Sequence, residues 1–142
     1  MLYGIGCDLC EVARMEKSLS GAHGPAFVRR VFGPAEQAAL GLGAEAEPWP
    51  AGQASAHKAA SAAADFAAKE AFLKAAGTGL AAPFSLCEIE AVRLPSGAPN
   101  YRFSGKTAEW VAAHHLTAKL SLSHDGGMAL AFCTLEQLPP ET

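Results

Sequence analysis

The sequence predicts an α+β domain, and three observations predict it. Helix signals gather mostly in the first half of the chain and strand signals mostly in the second. That segregation is expected when helices pack against an antiparallel sheet and do not alternate with parallel strands. No internal repeat and no linker divides the 142 residues, a length that suits one domain with a real hydrophobic core.

Leu2 to Asp8 alternates as a strand, with Ile5 and Cys7 on one face and Gly4, Gly6 and Asp8 on the other. Two glycines beside Asp8 leave room for something to approach that face. Glu11 to Leu19 reads as a short amphipathic helix closed by Gly21. A second short helix covers Pro25 to Val31, and a third starts at Pro34, since proline is at home in a first turn. Leu42 opens a loop carrying the breaker Pro48-Trp49-Pro50. From about Gln53 the alanine content predicts one long central helix that runs to Ala76 and stops at Gly77.

Cys87 to Leu94 and Asn100 to Phe103 read as strands joined by the turn Pro95-Ser96-Gly97. Lys106 to His115 reads as a helix. Lys119 to Ser123 and Met128 to Leu135 follow as two more strands around the turn Asp125-Gly126-Gly127.

Half of the residues are hydrophobic and 18% are charged, a globular composition and not a disordered one. No apolar run approaches the ~20 residues of a membrane span. The start, MLYGIGCDLCEVAR, has neither the basic opening nor the apolar stretch of a secretory signal, so a cytoplasmic location is expected. A net charge of −3 argues against a general nucleic-acid binder. Charge is nonetheless uneven: Arg14, Lys17, Arg29 and Arg30 are four of the eleven basic residues. They form either a surface for an acidic partner or a solvated helix face. Cys7 and Cys10 make a C-x-x-C, but a structural zinc site wants a second close pair, and Cys87 and Cys133 stand far apart. Small buried thiols are the expectation.

Phe66, Glu70, Leu73 or Lys74, and Gly77 fall along one stripe of the long helix. Glu70 and Lys74 then form either an ordinary surface pair worth ~0.2–0.5 kcal/mol, or charges held in a closely packed helix that need a partner. Asp8 is the natural second carboxylate. Two acids from different elements, a nearby lysine and glycine-rich turns suit a magnesium-phosphate site, because magnesium takes one or two protein carboxylates plus water and phosphate oxygens. Ser121, Ser123, His124 and Asp125 lie at a strand end, where binding groups often sit on a rigid base, unless they merely shape the turn. Neither a Walker loop nor a G-x-S-x-G elbow is present. His114 and His115 point about 100° apart on a helix and read as partly exposed residues, not a metal pair.

Taken together, Y-G-I-G-C-D, F-A-A-K-E-A-F-L-K-A-A-G-T-G and S-L-S-H resemble the holo-acyl-carrier-protein synthase family, the small bacterial-type 4′-phosphopantetheinyl transferases. The resemblance spans the chain in order, and Arg14, the segment Phe27 to Glu36, Ile89-Glu90 and Gly97 to Pro99 also fit it. It implies a long central helix packed on a small, mostly antiparallel sheet, assembled as a homotrimer with active sites at subunit interfaces. It also implies transfer of phosphopantetheine from coenzyme A to a serine of apo acyl carrier protein, for fatty acid biosynthesis, with release of 3′,5′-ADP. Residue by residue, it puts Mg2+ on Asp8 and Glu70, and a phosphate oxygen on Lys74. Lys69 goes to a neighbouring phosphate or subunit. Coenzyme passes close to the backbone of Gly77-Thr78-Gly79, and His124 lines the pocket with Ser121 and Ser123 beside it. The general base stays open between a metal-ordered water and a carboxylate such as Asp125. Acidic carrier protein gives Arg14, Lys17, Arg29 and Arg30 a partner.

Two features depart from the family. Asp65 stands where a basic residue often precedes F-A-A-K-E-A, which puts a contact to the coenzyme's 3′-phosphate in doubt unless Lys58 or another residue compensates. The segment from Leu42 to Ala64 is longer than expected, and either lengthens the central helix or covers the pocket.

Overall fold

A computed structural model describes residues 1–43 and 52–139. Chain order runs β1 (Leu2–Glu11), α1 (Val12–Ser20), α2 (Gly24–Val31), α3 (Pro34–Leu40), α4 (Gly52–Ala76), a 3-10 turn (Leu86–Glu88), β2 (Ile89–Arg93), β3 (Pro99–Phe103), α5 (Gly105–Ala113), β4 (Leu116–Asp125) and β5 (Met128–Gln137). The strands form two antiparallel sheets, one in the order β1-β5-β4 and the other the hairpin β2-β3. The architecture is α+β, with the long helix laid across the larger sheet.

Small side chains set that contact. Ala62, Ala63, Ala67, Ala68, Ala71 and Ala75 of α4 are all buried. A Cβ built on Gly4 or Gly6 of β1 would overlap the backbone carbonyl oxygens of Ala75 and Ala71. The space those glycines leave is therefore filled by the chain's own central helix, and β1 lies directly under it. Gly77 ends α4 as expected: its φ of 87° is the left-handed conformation that glycine adopts freely, and its N–H donates to the Leu73 and Lys74 carbonyls. The β4–β5 hairpin turns through Gly126 and Gly127, both at positive φ, the pattern of a tight two-residue turn.

Phe72 anchors the core on the other side of α4, in edge or tilted contact with Phe84, Tyr101, Phe103 and Trp110. The Tyr101 hydroxyl donates to the Ala68 carbonyl at 2.6 Å, which fastens the small hairpin to the helix. Deeper in, α3, α4 and β2 share a buried ionic network. Lys69 pairs with Glu36 and donates to the carbonyls of Leu86 at 3.1 Å and Ile89 at 2.6 Å. Glu36 also accepts the N–H groups of Gly33 and Ala91, while Glu90 accepts the N–H of Glu36. Breaking such a buried pair from one side costs about 3–5 kcal/mol.

Several sequence expectations need correction. β1 runs on to Glu11, so Glu11 precedes α1 and is not part of it. Cys87 belongs to the 3-10 turn and not to a strand. β4 begins three residues earlier than expected, at Leu116, because α5 ends at Ala113 and His115 reverses the chain with a φ of 53°. His114 then stacks on Trp110, with ring centroids 4.2 Å apart. Of the four cysteines only Cys133 is buried; Cys7 is exposed, since it lies on the face of β1 turned away from α4. The breaker Pro48-Trp49-Pro50 lies outside the described residues, whereas the alanine-rich portion from Gly52 onward lengthens α4. No helix among the described residues is long and apolar enough to cross a membrane.

Candidate active site

The alternation of β1 turns Gly4, Gly6 and Asp8 toward α4. Side chains on a helix lean toward its N-terminus, so Lys74, near the end of α4, reaches back over β1. Its ammonium donates to the Cys7 carbonyl at 2.9 Å and to Asp8 Oδ1 at 3.0 Å. Glu70, one turn earlier on the same stripe, stands close enough for the two acids to feel each other. Burial pushes the Glu70 carboxyl above its ordinary value, the negative charge of Asp8 pushes it further, and Lys74 pulls it back. Cys10 adjoins the same charges: burial first, then Asp8, drives its thiol up to about 11.

Two carboxylates against one lysine leave local negative charge that a divalent cation would neutralise. Hard carboxylate oxygens suit magnesium or calcium. Among the described residues no group of three or more His, Cys, Asp or Glu side chains could enclose a metal. Magnesium held by one or two carboxylates ordinarily completes its shell with water and phosphate oxygens. The Lys74–Asp8 pair is easily exchanged: the Lys74 side chain is 55% exposed, and pairs in that setting contribute only about 0–1 kcal/mol. Just beyond, Gly77 and Gly79 have φ of 87° and 63°, and both face open space.

His124 is elsewhere. It pairs with Ala129, which pairs in turn with Cys10, so β5 separates His124 from β1. Two strand spacings are about 10 Å. Ser123 and His124 line a cavity of about 350 Å³ at the β4 edge, together with His57, Ser61, Arg93 and Gly97. Ser121 pairs with Phe132 and, like it, is exposed on the outer face of the sheet, away from that cavity. One chain therefore carries Asp8, Glu70 and Lys74 near one edge of the sheet and His124 at the other.

Lys69 is a correction. Its side chain is 0% exposed and its ammonium is fully occupied by Glu36 and two carbonyls, so it reaches neither a phosphate nor a neighbouring subunit. Asp65 also turns inward. It is buried and hydrogen-bonded to Glu36, and burial and the Glu36 charge raise its carboxyl to about 8. Lys58 donates to the Gly41 carbonyl at 2.8 Å.

Arg14 and Lys17 on α1, and Arg29 and Arg30 on α2, are all exposed. Arg14 borders a cavity of about 200 Å³ with Cys10, Phe27 and Phe66, and Arg30 borders the adjoining hollow with Ser18 and Phe27. The basic surface thus begins beside Cys10, two residues from Asp8. Sequence reading missed His57 and Arg93 as cavity residues, and Glu36 and Glu90 as the buried partners around Lys69. The one available signal was Glu36 three residues after Gly33, the spacing of a helix-capping carboxylate.

Comparison with known proteins identifies the family of the chain. Residues 4–133 match the family described as the 4′-phosphopantetheinyl transferase superfamily. A holo-acyl-carrier-protein synthase from a Methylobacterium species is 40% identical, with 100% of this chain and 99% of that protein covered. Another from Delftia acidovorans is 36% identical over 96% of this chain and 98% of that protein. Among solved structures, the holo-acyl-carrier-protein synthase of Neisseria meningitidis superposes with a TM-score of 0.77 at 28% identity, covering 96% of this chain and all of that one. A holo-acyl-carrier-protein synthase from Bacillus anthracis, solved in complex with CoA (3′,5′-ADP), gives a TM-score of 0.73 at 29% identity over 97% of this chain and 99% of that one.

Proposed function

The chain belongs to the holo-acyl-carrier-protein synthases of the 4′-phosphopantetheinyl transferase superfamily, and on that premise we propose that it transfers 4′-phosphopantetheine from coenzyme A to a serine hydroxyl of apo acyl carrier protein in a magnesium-dependent reaction. In this reading the serine Oγ bonds to the phosphorus of the phosphopantetheine and loses its proton to a base. The phosphoanhydride breaks, and 3′,5′-ADP leaves with the electrons of that bond. The observation that carries the reading is the acid pair Asp8 and Glu70, brought together with Lys74 by an alanine-lined helix packed on glycine.

Asp8 and Glu70 are the residues that would hold the magnesium ion, whose charge when bound offsets that of the diphosphate and of the departing phosphate. Lys74 exchanges its weak contact with Asp8 for a phosphate oxygen. In the segment Gly77-Thr78-Gly79 the two glycines face open space and let the coenzyme approach the backbone there. Arg14, Lys17, Arg29 and Arg30 meet the acidic carrier and aim its serine at the carboxylate pair.

The separation of the two edges supports an assembly of several copies. Ile5, Leu9 and Phe132 leave the outer sheet face 42–59% exposed at large apolar side chains, which favours burial against another chain. A second copy that lays its His124 edge against the Asp8 edge of the first forms a heterologous contact, which closes into a ring where the rotation between copies allows it and otherwise runs on as a filament. A homotrimer is the ring that the family resemblance implies, with each active site shared by two copies. The reaction fits the cytoplasm, where carrier protein and coenzyme A meet, and the first steps of fatty acid biosynthesis.

Intact-protein mass spectrometry of apo carriers incubated with the chain, coenzyme A and magnesium tests the proposal. The expected product is a carrier heavier by one phosphopantetheine on its serine. A chain that binds coenzyme A yet modifies no carrier would be a coenzyme-binding protein and not a transferase.

A further inference from the structure

Lys69 reaches no ligand, yet it is the residue next to Glu70 and its ammonium is held at three points. Glu36 of α3 pairs with it, and the carbonyls of Leu86 in the 3-10 turn and Ile89 in β2 accept from it at 3.1 and 2.6 Å. Further bonds tie this cluster to its surroundings. Glu36 accepts the N–H of Ala91 in β2, and Glu90 accepts the N–H of Glu36. Asp65, one turn before Lys69 on α4, is hydrogen-bonded to Glu36 as well. A buried ion pair often contributes no more stability than apolar residues of the same size would, so stability alone does not account for one here.

The other faces of α4 supply a reason. Toward β1 the backbone carbonyls of Ala71 and Ala75 lie against Gly6 and Gly4. A helix is indexed against its neighbour by side-chain ridges that fill grooves, and alanine on glycine offers only shallow ones. Phe72 packs among aromatic rings on a third side, but hydrophobic contact is non-directional. Three acceptors around one ammonium, in contrast, fix direction as well as distance. At the ~5–6 Å outer radius of a helix, a rotation of about 10° moves a side-chain tip by about 1 Å. A displacement of that size is enough to spoil a catalytic geometry.

We propose that Lys69 is a positioning residue for the carboxylate pair: anchored to Glu36, Leu86 and Ile89, it fixes the rotation of α4 and so holds the Glu70 carboxylate beside Asp8. The inference rests on the metal site of the transferase reading above. Lys69 itself touches neither metal nor coenzyme. It acts through the helix, because a rotation that loosens Lys69 swings its neighbour Glu70 through the same angle.

Binding of Mn2+ to the full chain, followed by electron paramagnetic resonance without coenzyme or carrier, tests this apart from turnover. Lys69→Met alone leaves the Glu36 charge buried without its partner, so the variant of choice is Lys69→Met combined with Glu36→Gln, and Glu36→Gln alone is the milder companion. Mn2+ affinity should fall about 10-fold or more in the paired variant and by less in Glu36→Gln. In carrier modification the paired variant should lose roughly 10- to 100-fold in kcat while KM for coenzyme A holds, and added magnesium should restore part of the rate. Tyr101→Phe is the control: it removes the hydroxyl bond to the Ala68 carbonyl of the same helix, and should lower the melting temperature yet leave Mn2+ affinity unchanged. A paired variant that binds Mn2+ as the wild type does, or a Tyr101→Phe chain that loses as much affinity, reduces Lys69 to a structural ion pair and overturns the proposal. If the paired variant does not fold, Glu36→Gln decides, and unchanged affinity there overturns it. A wild type that binds no Mn2+ overturns it together with the metal site. A chain whose Mn2+ affinity follows the network but which modifies no carrier overturns the transferase reading and leaves the positioning role standing.

Discussion

The Lys74 ammonium lies 3.0 Å from Asp8 Oδ1, although 66 residues separate them in the chain. Nothing local in either segment produces that contact. It exists because Gly4 and Gly6 let the backbone of α4 settle onto β1, so the next inward residue of the strand arrives under the last turns of the helix. The same approach brings Glu70 to Asp8, and everything proposed about catalysis follows from that meeting.

Charge reversal at Arg14 separates the two substrates. Arg14→Glu should raise KM for carrier protein at least 10-fold and leave KM for coenzyme A unchanged, because Arg14 lies on the exposed basic surface and makes no hydrogen bond or ion pair with Asp8, Glu70 or Lys74. The carrier effect should shrink as salt is added. Equal losses for both substrates in steady-state kinetics would assign Arg14 to the catalytic pocket.

The proposed sharing of each active site by two copies predicts complementation. Asp8→Asn and His124→Ala should each be nearly inactive alone. Co-assembled from a 1:1 mixture, they should recover about a quarter of wild-type activity, since that fraction of interfaces joins an intact Asp8 to an intact His124. A mixture no better than its components would place both residues in the site of a single copy.

The buried network predicts an unusual pH dependence of stability. Burial first and then the neighbouring Glu36 raise Asp65 from 3.8 to about 8 in the folded chain, while burial also raises Glu36 and its donors Lys69, Ala91 and Gly33 pull it back. The folded state therefore binds more protons than the unfolded state between those two values. The stabilisation from protonated Asp65 is complete below pH ~4 and lost as pH rises through about 8. Asp65→Asn should flatten the fall in melting temperature between pH 5 and 8.5, as followed by circular dichroism. An equally steep fall in the variant would assign that slope to other groups.

How far the chain could be read beforehand depended on the range of the interaction. The long helix, its glycine stop and the β4–β5 hairpin were legible, because alanine content, Gly77 and Gly126-Gly127 act within a few residues. The Glu70–Lys74 stripe was legible for the same reason, and Asp8 came from its strand face. Lys69 was misplaced: it lies about 100° around the helix from Glu70. Only tertiary packing reveals that this face meets Glu36 and the carbonyls of Leu86 and Ile89. Arg93 and His57 were missed on similar grounds, since their shared cavity is assembled from α4, the small hairpin and β4. Cys7 was misjudged because a strand that alternates correctly does not say which of its faces is covered.

The most direct measurement is carrier modification by Glu70→Gln beside wild type, across a magnesium titration. Glutamine keeps the shape and nearly the helix propensity of glutamate, so the variant should fold and melt like the parent. Turnover should fall on the order of 10²-fold or more and lose its dependence on magnesium. A variant that retains wild-type turnover with the same magnesium response would show that the acid pair does not hold the metal.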